Sequence, residues 1–284
     1  MEDAVWRMVL GMLPPEKLRD GRYRYSDRCI LKVALWAILN DRPFSWACVA
    51  ANWRGRWCPA HLPDQSTLSR RSRRDHFQAA MIDMLDHVQQ CFGKVRREVY
   101  IDGRALVVGG ASKDPDAHRG RAASGFEKGY KLHGLTDENG VFIAFSIRSL
   151  NENEARIAPE LVARAPGQFR RVVGDGEYDT MRIHQAVQAR FARHYAPPRN
   201  GRVGRRQQPP RVHALRVLST PTGQALMKRR VSIERVFGRM SNIGFGFKGL
   251  PPWVRRLWRV ETWMQGKILF YHCYLLALQQ QKCA

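Results

Sequence analysis

The chain has 284 residues, enough for one large domain or two moderate ones. Its 44% hydrophobic and 26% charged content is that of an ordinary globular protein and excludes a disordered chain. Forty-eight Lys and Arg against 25 Asp and Glu leave a net charge of +23, which calls for a polyanionic partner; RNA binders, nucleases and membrane-surface proteins all stay open on that number.

Residues 26–92 read as helices with short breaks. Ser26-Asp27 caps a helix whose Ile30, Leu31, Ala34, Leu35 and Ile38 form one apolar stripe, and Arg42-Pro43 ends it. Ser45 is expected to cap a short helix through Trp46 and Val49. After Pro59 and Pro63, the run from Asp64 to Arg74 opens another helix, in which Arg70, Arg71, Arg73 and Arg74 follow a polar cap. A recognition helix entering DNA needs that arrangement, and a solvated basic face is the even alternative.

The texture changes near residue 97. Val99-Tyr100-Ile101-Asp102-Gly103 is a β-rich run that ends in an acid and a glycine. Gly129 to Leu135 and Val141 to Ile147 flank the Asp137-Glu138-Asn139-Gly140 turn as a hairpin. Glu154 to Ala163 reads as a helix, and Arg171 to Gly174 as a strand delivering Asp175. A helix over Tyr178 to Arg190 and a short strand at His194 to Ala196 follow. Arg199 to Pro210, with Arg202, Arg205 and Arg206, is a basic loop. A helix starting at Ser219-Thr220-Pro221 runs through Glu234 to about Met240, before glycines, a Trp/Arg-rich stretch and an apolar C-terminal helix.

Charge is unevenly spread along this order. Residues 1–95 hold 15 basic and 10 acidic side chains, and residues 96–179 hold 13 of each. Residues 180–284 hold 20 basic residues against only Glu234 and Glu261, so the last third faces the polyanion. The six cysteines are scattered without a C-x-x-C pair, which fits reduced thiols in a cytosolic protein rather than zinc or disulfides. No export signal is apparent at the N-terminus, and the apolar stretch around Ile268 to Leu278 is too short to span a bilayer, so no membrane partner is expected.

Phosphodiester transfer requires an attacking oxygen to be activated and a leaving oxygen stabilised, and two divalent metals about 3.5–4 Å apart do both. Three carboxylates from separate elements are the minimum apparatus to hold Mg²⁺ or Mn²⁺ there. Asp102, Asp175 and Glu234 are the candidates, although a single strand-end Asp is more often a turn or cap residue. Asp175 is preferred over Glu177 and Asp179 because it directly follows the strand. Glu234 is preferred over Glu261 because Arg230 lies one turn earlier on the same face. Lys131 and His133 share one strand face and are candidate phosphate contacts. For Trp253, Trp258 and Trp263, core packing is favoured over base stacking.

Four segments occur in order: Tyr100 to Gly103, Gly129 to His133, Gly174 to Asp179, and Arg230 to Met240. Together they resemble the DDE transposases of bacterial insertion sequences, and the region from Tyr25 to Arg74 resembles that family's helical DNA-binding domain. The resemblance implies an α/β chain: a ribonuclease-H-like mixed sheet flanked by helices over residues 96–284, behind a helix-turn-helix-like domain over 1–95. It implies catalytic, metal-ligating Asp102, Asp175 and Glu234 with two Mg²⁺ or Mn²⁺ ions. Partners would be transposon-end and target double-stranded DNA, engaged by a homodimer or higher oligomer near the bacterial nucleoid. Arg230 and Glu234 fit the family's Tyr-Arg-Glu-Lys signature, whereas its Tyr and Lys positions are Met227 and Ser241, with Arg239 as a substitute DNA contact. A non-catalytic, domesticated relative acting as a repressor or architectural protein is the alternative; the presence of all three acids argues against it.

Overall fold

In the computed structural model, which describes residues 1–16, 24–199 and 208–283, the chain forms two units. One unit joins Met1–Cys91 to Asn242–Ala284, and the other is Phe92–Ser241.

The first unit is helical: α1 (Glu2–Met12), α2 (Asp27–Leu39), α3 (Phe44–Ala47), α4 (Gln65–Arg71), α5 (Asp75–Gln90) and the C-terminal helix Leu257–Cys283. The Ser26 hydroxyl accepts the Cys29 amide hydrogen at 3.1 Å, and the expected stripe of α2 is buried. Pro43, not Ser45, stands at the N-cap of α3. Asp64 caps α4, accepting from Thr67 N at 2.7 Å and from the Ser66 and Thr67 hydroxyls. That helix stops at Arg71, so Arg73 and Arg74 lie in the turn before α5. The C-terminal helix buries Val260, Met264, Ile268 and Leu269 and packs on α1, α2 and α5. Being apolar on most sides, it needs neighbours all round. Residues 242–284 therefore group with the N-terminal helices, where the sequence reading had attached them to the sheet. Inside, the fully buried Lys267 ammonium donates to the Asp41 carboxylate at 2.9 Å and the Phe245 carbonyl at 3.0 Å. This satisfies a charge that burial would otherwise make costly.

The second unit is built on a six-stranded sheet of β1 (Val95–Val107), β2 (His118–Ala122), β3 (Gly125–Asp137), β4 (Phe142–Ser149), β5 (Gln168–Val173) and β6 (Arg193–Tyr195). The spatial order is β4-β3-β1-β5-β6, with β2 continuing the β4 edge beside the first part of β3. β1, β3 and β4 are antiparallel, while β5 and β6 run parallel to β1. This is the ribonuclease-H-like mixed sheet flanked by helices that the sequence reading expects. The β3–β4 turn is held by the Asp137 carboxylate, which accepts the amides of Asn139 and Val141 at 2.9 Å each, and Gly140 supplies a φ of +83°.

Helices α6 (Glu154–Arg164) and α7 (Met181–Gln188) cover one face of the sheet. Ile157, Leu161, Ile183 and Val187 pack there on Val99, Ile101, Leu135 and Val172. Fully burying each such side chain contributes about 1.5–3 kcal/mol. Beyond the sheet come α8 (Pro209–Leu218), α9 (Pro221–Arg229) and α10 (Val231–Asn242). The single helix expected over 219–240 is thus interrupted at Arg230. At that break Arg229 reaches Glu98 at 2.9 Å while Arg230 reaches Glu234 at 2.9 Å.

Candidate active site

Strand alternation decides what each face of β1 presents. Val99 and Ile101 point into the α6–α7 core, so Glu98, Tyr100, Asp102 and Arg104 take the other face. Parallel pairing sets Tyr100 beside Val173, and continuing that register brings Asp102 beside Asp175. Asp102 is not at a strand end, as its sequence context suggested, because β1 runs on to Val107 against β3. Asp175 does follow the end of β5. Its carboxylate accepts the Glu177 amide at 2.9 Å and caps the short 3-10 turn Gly176–Tyr178.

The two acids share an electrostatic problem. Burial pushes the Asp102 carboxyl up to about 7, with further upward pressure from Asp175 and Glu154, against the Gly103 amide donating at 2.8 Å and the positive charge of Arg230. Asp175 is raised for the same first reason, burial, with Glu154 adding to it.

Arg230 lies at the centre of this charge. Its guanidinium is 3.9 Å from Asp102 and 2.9 Å from Glu234, so it links the strand acid to the helix acid. Glu234 stands in the first turn of α10 and is about half exposed. Among the described residues no three His, Cys, Asp or Glu side chains are grouped tightly enough to hold a metal ion. Asp102, Asp175 and Glu234 are therefore gathered through Arg230 rather than around a common point. Glu177 pairs with Arg199 at 2.9 Å, and Asp179 takes both arms of Arg211 at 2.8 and 2.6 Å, which holds its carboxyl well below the usual range.

Lys131 and His133 are adjacent to β1 but on its other face. A Cβ at Gly103 would lie 2.9 Å from Lys131 Cδ and 3.1 Å from the Glu154 carboxyl group, so a larger residue there would have to push those side chains aside. Lys131 donates to Glu154 at 2.6 Å. His133 is buried, neither ring nitrogen has a hydrogen-bond partner among the described residues, and burial lowers its pKa to about 4. As placed, neither side chain faces an incoming phosphate. Glu154, at the start of α6, was missed as part of this neighbourhood; nothing in its sequence context beyond a helix N-terminus signals it. Arg104 was missed too: it donates to the Phe237 carbonyl at 2.7 Å and the Ser241 hydroxyl at 2.8 Å, tying α10 to β1.

The remaining basic candidates divide. Arg70 and Arg74 are exposed, and Arg73 stacks 5.0 Å above Trp258. Arg71 is buried, donating to the Tyr25 carbonyl at 3.0 Å and to the Asp27 carboxylate, which corrects its assignment to a DNA-facing set. Arg199 and Arg239 are exposed. Arg202, Arg205 and Arg206 lie outside the described residues. Of the tryptophans, Trp263 is core and Trp253 is partly exposed.

The donor set suits a hard divalent cation. The two carboxylates, both raised chiefly by burial, lack positive charge, and oxygen ligands are what Mg²⁺ takes. Arg230 supplies part of that charge, pairing with Glu234 at 2.9 Å and lying 3.9 Å from Asp102.

The family model described as a transposase DDE domain matches residues 93–271. A comparison with curated proteins gives no match. Among solved structures, the piggyBac transposase synaptic complex with hairpin DNA is similar with a TM-score of 0.50 at 10% identity, over 96% of this chain and 71% of that one, a likeness of fold. With the family model spanning more than half of its length over a sheet of the expected topology, the chain belongs to the DDE transposase family.

Proposed function

We propose that the protein binds the inverted repeats at the ends of a bacterial insertion sequence, cuts the DNA there and joins the freed 3′-hydroxyls to target DNA. The observation that carries this reading is the placement of Asp102 on β1 near Asp175, just past the end of the parallel β5, both with raised carboxyls and with Arg230 bridging from Asp102 towards Glu234. Two Mg²⁺ or Mn²⁺ ions, when bound, would activate the attacking oxygen and stabilise the leaving one.

The chain's own residues supply the positioning. Gly103 and the Asp175-capped turn fix the two strand carboxylates through backbone amides at 2.8 and 2.9 Å. Arg104 holds α10, and with it Glu234, against β1. Arg230, when released from Glu234, becomes a guanidinium free for a phosphate oxygen, its preferred partner. Arg70, Arg74, Arg199 and Arg239 are exposed cations suited to duplex backbone or base contacts. Lys131 acts by fixing Glu154 beside Gly103 rather than by touching DNA. We place the protein in the cytoplasm, on the nucleoid, as a dimer or larger assembly on DNA; no helix among the described residues is long and apolar enough to cross a membrane.

The test is Mg²⁺-dependent nicking of a duplex that carries the element's own terminal repeat, compared with Asp102→Ala. Nicking abolished in the variant, with duplex binding retained, supports the reading. Binding without nicking in the unsubstituted chain would make the protein a DNA binder only.

A further inference from the structure

The same face of β1 that carries Asp102 also carries Glu98 and Tyr100, and a cavity opens over them. It has a volume of about 540 Å³ and is walled by the start of β1, the β3–β4 turn and the α9–α10 junction. That size suits a small ligand or a single nucleotide unit.

Its charges are unbalanced. Arg97, Lys228, Arg229 and Arg235 line it, against Glu98 and Glu138. Both carboxylates are already engaged. Glu98 is buried and takes the Tyr100 hydroxyl at 2.8 Å, Arg171 at 3.0 Å and Arg229 at 2.9 Å. Glu138 accepts the backbone amides of Arg97 and Glu98 at 3.0 and 3.3 Å. The side chains of Arg97, Lys228 and Arg235 have no hydrogen-bond or ion-pair partner among the described residues, so three cations face the opening with their charge unspent.

A fourth, independent feature points the same way. Ser232 lines this cavity, and its buried hydroxyl has no hydrogen-bond partner among the described residues, an unmet donor that costs free energy until something accepts from it. An oxyanion satisfies all of these groups at once: it accepts from the serine, pairs with the free cations and lies at the amide end of the 12-residue α10.

We propose that this cavity binds a backbone phosphodiester of the DNA strand whose reacting phosphate lies at Asp102, a few nucleotides along. Glu98 is four residues from Asp102 on one strand, roughly 13 Å at the usual rise. Arg229 and Arg230, consecutive at the helix break, tie the two places together by holding Glu98 and Glu234 respectively. The proposal rests on the transposase reading and adds a strand-holding subsite to it.

The test is calorimetric titration of the full chain with a 5′-phosphorylated thymidine dinucleotide, with thymidine and inorganic phosphate as separate probes. The dinucleotide should bind, thymidine should not, and inorganic phosphate should bind more weakly than the dinucleotide. In Lys228→Ala/Arg235→Ala the dinucleotide should bind at least about tenfold more weakly, as for loss of one charge-assisted contact. Ser232→Ala should weaken it in the same direction. A matched loss of charge on the exposed β2, Arg119→Ala/Arg121→Ala, should leave it within about twofold. Equal weakening in both double variants would reduce the effect to bulk charge and overturn the proposal, as would inorganic phosphate binding as tightly as the dinucleotide. A chain that cuts transposon ends while Lys228→Ala/Arg235→Ala binds the dinucleotide normally would sink the subsite and leave the reaction standing.

Discussion

Replacing Asp102 by Asn should stabilise the metal-free protein at pH 8 while it removes the proposed activity. The carboxyl is raised from an ordinary 3.8 to about 7, chiefly by burial. The folded chain thus keeps a proton that the unfolded chain releases. The stability this gives is fully present below about pH 4 and is lost as pH rises through 7; the full interval corresponds to about 4 kcal/mol. Asn stays neutral throughout and keeps an oxygen to accept the Gly103 amide, so the variant escapes the loss. For a protein of this size each kcal/mol moves the melting midpoint by about 2–4 °C, so the gap at pH 8 should reach about 8 °C and should close towards pH 4. Titrating groups that do not interact with Asp102 cancel in the difference between variant and parent. Scanning calorimetry in chelator at several pH values measures it. A variant that melts below its parent at pH 8, or a gap unchanged between pH 4 and 8, would refute the electrostatic argument.

Other outcomes follow from the same geometry. Arg230→Gln removes a positive charge 3.9 Å from Asp102, worth about 1–4 kcal/mol between a watery and a protein-like dielectric, so Mn²⁺ affinity read by electron paramagnetic resonance should rise roughly tenfold. Arg71→Ala breaks a buried ion pair and should lose about 3–5 kcal/mol of stability in chemical denaturation. Exposed Arg70→Ala should leave stability nearly unchanged and instead cost about 1–3 kcal/mol of discrimination between cognate and scrambled duplex in gel shifts, if it reads a base edge. Duplex affinity should fall about 10³–10⁵-fold between 50 and 200 mM salt for some 6–10 phosphates contacted, and a flat response would exclude a footprint of that size.

Much of the fold was legible because local signals agreed with tertiary ones. The Asp137 to Gly140 turn, the stripe of α2 and the strand leading to Asp175 all carried their own chemistry in sequence. What escaped depended on contacts far apart in the chain. Nothing local distinguishes a β1 that ends at Gly103 from one that runs to Val107; pairing with Gly129 to Asp137 decides it. The break at Arg230 has neither Gly nor Pro to announce it. Arg71 looks like its three arginine neighbours in sequence, yet Asp27, 44 residues away, draws it inside. Glu154 is an ordinary helix-start residue until β3 brings Lys131 to it. Strand β2, short and rich in Arg and Gly, is defined only by its partner β3. The C-terminal helix showed its apolar character plainly, but not which unit would bury it.

The most direct measurement of the central claim, that Asp102, Asp175 and Glu234 hold the divalent metals of a DNA-cutting centre, is a metal-switch assay. Each acid is replaced singly by Cys, and cleavage of the cognate transposon end is followed with Mg²⁺ and with Mn²⁺. Thiolate is a poor ligand for the hard ion and a better one for the softer ion. The account predicts that all three variants lose Mg²⁺-supported cleavage and recover part of it with Mn²⁺. Undiminished cleavage with Mg²⁺ in any one of the three would contradict that residue's place at the metal centre.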